Sequence, residues 1–307
     1  MAHMGKVVLL TGAPATGKST LRRALSERIL VLDGAMGTEL DKVGLMSRGQ
    51  NNIAAPEAAL SIHRAYARCG CHALTTNTLT MNRLYIETHN VGVGVREVNL
   101  AGVELARQAA AGDMFVLGDM SSTGQLLEPY GAYTEEQFCE AFKEQAEVLA
   151  EGGVHGFIIE TMFDLREALC ALRACKESFS LPVIASIAFS TETNGGRTMM
   201  GDSAEECAGR LAEAGADVVG ANCGDIDPHQ MAAIVSVLRS ATSLPVLAQP
   251  NAGIPRLVGG QTVFDMTPDA FAQGMAECVA SGARIVGGCC GTSPAHIRAV
   301  AEMLRLG

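Results

Sequence analysis

Two adjacent cysteines in Gly287-Gly288-Cys289-Cys290-Gly291 carry the chain's strongest chemical signal. Successive side chains of a strand point to opposite faces, so neighbouring thiols reach one point only where the chain turns. Glycines on both sides permit that turn. A third thiol, Cys223, follows another apolar run in Gly220-Ala221-Asn222-Cys223-Gly224. Thiolate donors select Zn(II) over magnesium or calcium, and three protein ligands leave the fourth position open, as a catalytic zinc requires. An ion already supplied by three thiolates is a weak Lewis acid. It is better suited to keeping a substrate thiol ionised and nucleophilic, which predicts alkyl transfer to sulfur rather than hydrolysis. A single cysteine is equally readable as a small buried residue. The Gly-Gly-Cys-Cys-Gly turn suits that reading poorly. Cys139, Cys170, Cys175, Cys207 and Cys278 fall in helical patterns and are expected to pack as small apolar residues. Cys69-Gly70-Cys71 has a spacing a metal can use, but it sits where a helix ends and a strand begins and is read as structural.

For Cys223 to meet Cys289 and Cys290, the fold must bring two distant loops to one rim. From Ile29 the chain repeats short apolar strand, loop and amphipathic helix. The strands are expected at 29–33, 73–76, 114–118, 156–160, 183–188, 217–221, 246–249 and 284–287. The helices between and after them are expected at 56–69, 95–110, 135–151, 165–178, 204–214, 228–240, 268–281 and 294–306. Eight such pairs predict an α/β protein folded as a closed (β/α)8 TIM barrel, whose active site gathers where strands end. Strands six and eight then lie two positions apart on one rim. Asp33, Asn77, Asp119, Glu160, Asn222, Cys223, Asn251, Cys289 and Cys290 all fall at strand ends. The long stretches 40–55, 120–134, 190–202 and 251–267 are expected to be irregular loops of that same face.

The composition agrees. The chain has 307 residues, 48% of them hydrophobic and 18% charged, enough for a large core. A net charge of −10 argues against a nucleic-acid partner. No apolar stretch is long enough to cross a membrane. Ten cysteines without a secretion signal predict a reducing, cytoplasmic setting. Residues 1–28 are read as an N-terminal extension with a short leading helix, and residues 29–307 as the barrel. Within the extension, Gly12-Ala13-Pro14-Ala15-Thr16-Gly17-Lys18-Ser19 fits the phosphate-loop pattern. The strands a nucleotide-binding domain needs are used by the barrel, so nucleotide binding there is the weaker reading.

Beyond these patterns, the segments Ile29–Leu40, Leu74–Thr78, Gly118-Asp119, Ile159–Thr161, Asn222-Cys223, Gln249–Gly253 and Gly287–Thr292 resemble the homocysteine S-methyltransferase family. Ser26–Gly34 and Val116–Leu126 look most like the homocysteine-binding module of cobalamin-dependent methionine synthases. The resemblance implies homocysteine as methyl acceptor and methionine as product. It implies Cys223, Cys289 and Cys290 as zinc ligands that act catalytically through the metal, with Asn251 as a further group near it. It implies Glu160 as partner of the substrate ammonium, Asp33 beside it or holding the loop, the Ala35-Met36 turn as an amide nest for the substrate carboxylate, and Asn222 as a neighbour of substrate and metal. The implied donor is methylcobalamin on a separate corrinoid protein. The alternatives are an S-methylmethionine- or S-adenosylmethionine-dependent methyltransferase and a non-catalytic zinc-binding regulatory barrel. Betaine fits poorly, because a quaternary ammonium wants an aromatic cage and the chain has no Trp and four Tyr. Leu79 stands where related sequences often carry an aromatic residue. Asp227-Pro228-His229 lacks the glycine of a corrinoid-binding signature and is read as a helix start.

Overall fold

The eight apolar runs form eight parallel strands in the computed structural model of the chain, which describes residues 21–46 and 48–306. They are β1 Leu30–Val31, β2 Ala73–Thr75, β3 Phe115–Met120, β4 Gly156–Met162, β5 Val183–Ile187, β6 Val218–Asn222, β7 Val246–Gln249 and β8 Ala283–Val286. Their order around the sheet is β1-β8-β7-β6-β5-β4-β3-β2, so every strand lies beside its neighbours in sequence. At the seam between β1 and β2, His72 N donates to Val31 O at 2.6 Å and His72 Nδ1 accepts from Val31 N at 2.9 Å. One step further, the Asp33 carboxylate accepts from Thr75 N at 2.9 Å and Thr75 Oγ1 at 3.1 Å. Side chains thus close the ring where the ladder stops, and the fold is a (β/α)8 barrel.

Alternation along the strands divides the core into two layers. Leu30, Leu32, Phe115, Leu117, Ile158, Ile184, Val218, Leu247 and Ile285 fill the barrel interior. Val31, Val116, Phe157, Ile159, Val183, Ala185 and Val219 face outward into the layer shared with the helices. The leading helix, Leu21–Glu27, contributes Leu21, Ala24 and Leu25 to the interior layer. Its first predicted residues and the phosphate-loop-like segment 12–19 lie outside the described residues.

Helix starts follow their capping residues. Asp227 accepts from Gln230 N at the head of helix Pro228–Ala241, and His229 pairs with Glu277, so Asp227-Pro228-His229 is a helix start as expected. Cys170, Cys175, Cys207 and Cys278 are buried, as are Cys69 and Cys71. Cys139 departs from the apolar reading: it is only half-buried, and its sulfur accepts from Arg173 Nε and Nη2 at 3.2 and 2.8 Å.

The loops hold more structure than their sequence predicted. Helices Gly37–Lys42 and Asn51–Ala54 flank or interrupt stretch 40–55. A hairpin, Arg256–Val258 with Gln261–Val263, interrupts 251–267. Gly259 and Gly260, at φ 59° and 82°, make its two-residue turn, a pairing of positive φ values that favours glycine. Among the described residues no helix is long and apolar enough to cross a membrane.

Candidate active site

The sulfurs of Cys223, Cys289 and Cys290 all lie within 4.8 Å of one another, and Cys223 Sγ is 4.0 Å from Cys290 Sγ. Zinc bound tetrahedrally at about 2.3 Å from each sulfur spaces them about 3.8 Å apart, so the donor set fits the ion with little movement. Backbone geometry makes the convergence possible. Cys223, directly after β6, has φ 54° and donates its N–H to Gln249 O at the end of β7. Gly291 has φ 78°, and a Cβ there would come within 2.3 Å of Phe264. A side chain at Gly291 is therefore excluded both by conformation and by space. Cys289 N donates to Pro250 O and Ala252 N to Cys290 O, which ties the cysteine turn to the loop after β7.

With protons in place of a cation, the three thiols bond one another. Hydrogen bonds from Cys223 and Cys289 hold the Cys290 thiol down to about 4, while donating to Cys223 and Cys290 pushes the Cys289 thiol up. A divalent cation would take the place of the shared protons.

Asn222 lies beneath this trio, fully buried. Its Oδ1 accepts from Thr161 N at 2.9 Å and Ser186 Oγ at 2.7 Å. Its Nδ2 donates to Thr161 Oγ1 at 2.7 Å and reaches Cys289 Sγ at 3.9 Å. The amide expected as a neighbour of substrate and metal is thus bonded within the protein and reaches a sulfur of the trio. Thr161 itself has φ 56°, where β4 shifts register against β5. Such a conformation in a β-branched residue is costly and persists only when its surroundings impose it; the paired bonds to Asn222 do so.

The sulfurs form one wall of a cavity of about 290 Å³ at the C-terminal rim, which also exposes Ala35, Met36, Arg48, Leu79, Asp119, Glu160 and Gln249. No aromatic residue lines it among the described residues. Two acids, Asp119 of β3 and Glu160 of β4, line this cavity together with the sulfurs, while Asp33, just after β1, is buried and bonded to Thr75, which does line it. Burial, reinforced by Asp33 and Cys223, pushes the Glu160 carboxyl up to about 8. Burial likewise raises Asp33 to about 7, against the pull of its bonds from Thr75. Glu160 Oε2, Asp119 Oδ1, Gln249 Oε1 and Asn251 Oδ1 are buried without a hydrogen-bond partner. Asn251 donates through Nδ2 to Gly224 O at 2.8 Å, which fixes it beside Cys223 and leaves its oxygen unused.

The nest expected at 33–38 is partly filled by the protein. Ala35 N donates to Thr292 Oγ1 at 3.0 Å, and Gly291 N donates to Thr38 Oγ1 at 3.2 Å. These bonds lock the first rim loop onto the cysteine turn. Arg48 and Gln249 were not singled out from sequence. Arg48 lies in a loop whose fold the sequence does not reveal, whereas Gln249, at the end of β7, was open to the same reading as its neighbours.

Residues 30–304 match the family model for homocysteine S-methyltransferase. The chain belongs to the homocysteine S-methyltransferase family. Among curated proteins of similar sequence, methionine synthase of Mycobacterium tuberculosis is 30% identical over 298 residues, covering 90% of this chain. Methionine synthase of Mycobacterium leprae is 29% identical over 303 residues, covering 92%. The chain spans 25% of the length of each of these relatives. In fold it is similar to the metallated form of the homocysteine methyltransferase MmuM from Escherichia coli, with a TM-score of 0.75 at 23% identity, covering 92% of this chain and 99% of that one.

Proposed function

We propose that the barrel, residues 29–307 with residues 1–28 as an extension, is a zinc-dependent methyltransferase that acts on the thiol of homocysteine to give methionine. The observation that carries this reading is one cavity lined both by the three sulfurs and by the buried carboxyls of Asp119 and Glu160. Homocysteine carries a thiol and an ammonium group, and the sulfurs and carboxyls of this one cavity match those two groups. Cys223, Cys289 and Cys290 would hold the zinc, with Asn251 beside them. When bound, the zinc supplies a place where a thiol ionises near neutral pH and stays nucleophilic. Glu160 and Asp33 draw the substrate ammonium. With the Ala35 amide engaged by Thr292, the Met36 end of the Ala35-Met36 turn and Arg48, the one cationic side chain among the described lining residues, receive its carboxylate. The residues thus would hold the substrate sulfur at a fixed place in the cavity for transfer of a donor methyl.

For the donor, we favour methylcobalamin carried on a separate corrinoid protein. Similarity to two methionine synthases over about a quarter of their length supports a module that works with partners. The absence of aromatic residues among the described lining residues speaks against a quaternary ammonium donor. A methyl-transfer assay with homocysteine and a panel of donors tests this. Methionine formation from methylcobalamin, with none from S-methylmethionine or S-adenosylmethionine, is expected. The reverse pattern would overturn the donor assignment, and no methionine from any donor would overturn the enzymatic reading.

A further inference from the structure

The site contains one acid more than sequence reasoning assigned to the ammonium, and the oxygens of these acids are not equally free. Both oxygens of Asp33 accept from Thr75 across the barrel seam, which leaves each with one lone pair. Asp119 is different. It lies on β3, next to β4, with its backbone in register with Ile158, two residues before Glu160. Its side chain is 5% exposed and lines the same cavity, yet its Oδ1 has no hydrogen-bond partner. Glu160 Oε2 is in the same condition. A buried acceptor without a donor is costly. Two of them on adjacent strands, facing one cavity, mark a place that a ligand's donors fill. Burial first, then the nearby Glu160 and Asp33, pushes the Asp119 carboxyl up.

We propose that Asp119 is a substrate-binding, specificity-determining residue that completes with Glu160 and Asp33 a set of three acceptors for the three N–H bonds of a primary ammonium group. The proposal rests on the reading of the cavity as a homocysteine site. It predicts selection for a free α-amino group: an N-methylated substrate has one N–H fewer and must fit a methyl group against a carboxylate. Gln249 Oε1, the remaining unpartnered oxygen of the lining, comes from β7 and is not part of this set.

The test is calorimetric binding to the zinc-loaded protein. Three ligands are compared: homocysteine, its desamino analogue γ-mercaptobutyrate, and N-methylhomocysteine. Loss of one charged hydrogen bond corresponds to about tenfold or more in Kd. In Asp119→Asn, homocysteine should therefore weaken about tenfold or more, while γ-mercaptobutyrate stays within about twofold of wild type. The latter also reports that the variant is folded and loaded. Wild type should bind N-methylhomocysteine about tenfold or more weakly than homocysteine. Equal effects of Asp119→Asn on homocysteine and γ-mercaptobutyrate, or no effect on either, would overturn the role of Asp119 while wild-type homocysteine binding leaves the site reading standing. Equal wild-type affinity for homocysteine and N-methylhomocysteine would also overturn the three-acceptor set. No binding of homocysteine to loaded wild type would overturn the site reading and the set with it.

Discussion

Cys290→Ser is expected to yield a folded barrel that no longer retains zinc and forms no methionine. The serine hydroxyl is a far poorer partner for zinc than a thiolate, and it breaks the set of three sulfurs that lie within 4.8 Å of one another. Outer partners of metal ligands are worth about 10–100-fold in metal affinity, so loss of a ligand itself should exceed about 100-fold. The cost to the metal-free fold should be small, about 1 kcal/mol or less, because Cys290 is half-buried in a rim loop. A matched control separates the two effects. Cys207 is fully buried in the helix layer, away from the rim. Cys207→Ser places a hydroxyl in an apolar site and should cost about 1–3 kcal/mol of stability while leaving zinc content unchanged. Zinc content after dialysis, with denaturant unfolding of the metal-free forms, reads both. Stoichiometric zinc at unchanged affinity in Cys290→Ser would refute the ligand assignment.

Asn222→Ala should damage both stability and metal retention. The substitution strands Ser186 Oγ in a buried site and Thr161 N and Oγ1 in a half-buried one, and removes the amide facing Cys289 Sγ. It also removes the bonds that hold Thr161 at φ 56° between Glu160 and Met162. Unpartnered buried groups cost about 1–3 kcal/mol each, with partial relief by water or rearrangement. A loss of about 3 kcal/mol is therefore expected in denaturant unfolding, with zinc affinity reduced about 10–100-fold in chelator competition. Ser186→Ala removes one of the same bonds and touches no sulfur, so it should cost about 1 kcal/mol and leave zinc affinity unchanged. If Asn222→Ala lost stability but kept full zinc affinity, Asn222 would be a support of the fold alone.

The barrel was legible because its signals are local. Each strand is a short apolar run and each helix a repeat of small apolar residues, and eight pairs admit few arrangements. The sulfur cluster was legible for a related reason: once strands are numbered around a ring, strand-end residues share a rim whatever their separation in sequence. Contacts between strands were not legible. Asn222 has the composition of a substrate contact, and only the cross-strand bonds to Thr161 and Ser186 show that the protein uses it. The amide nest around Ala35-Met36 is visible in sequence, but not the Thr292 hydroxyl that engages Ala35 N. Asp33 and Asp119 look alike in sequence; their difference lies in Thr75, which engages one and not the other. The hairpin at 256–263 does carry a signal, Gly259-Gly260 between the strand-like runs Leu257-Val258 and Gln261-Thr262-Val263.

The central claim is that three protein sulfurs leave one place for the sulfur of the substrate. Zinc K-edge X-ray absorption on the zinc-loaded chain, before and after homocysteine is added, tests it directly. The predicted result is three sulfur neighbours without homocysteine and four with it. A sulfur count unchanged by saturating homocysteine would contradict it.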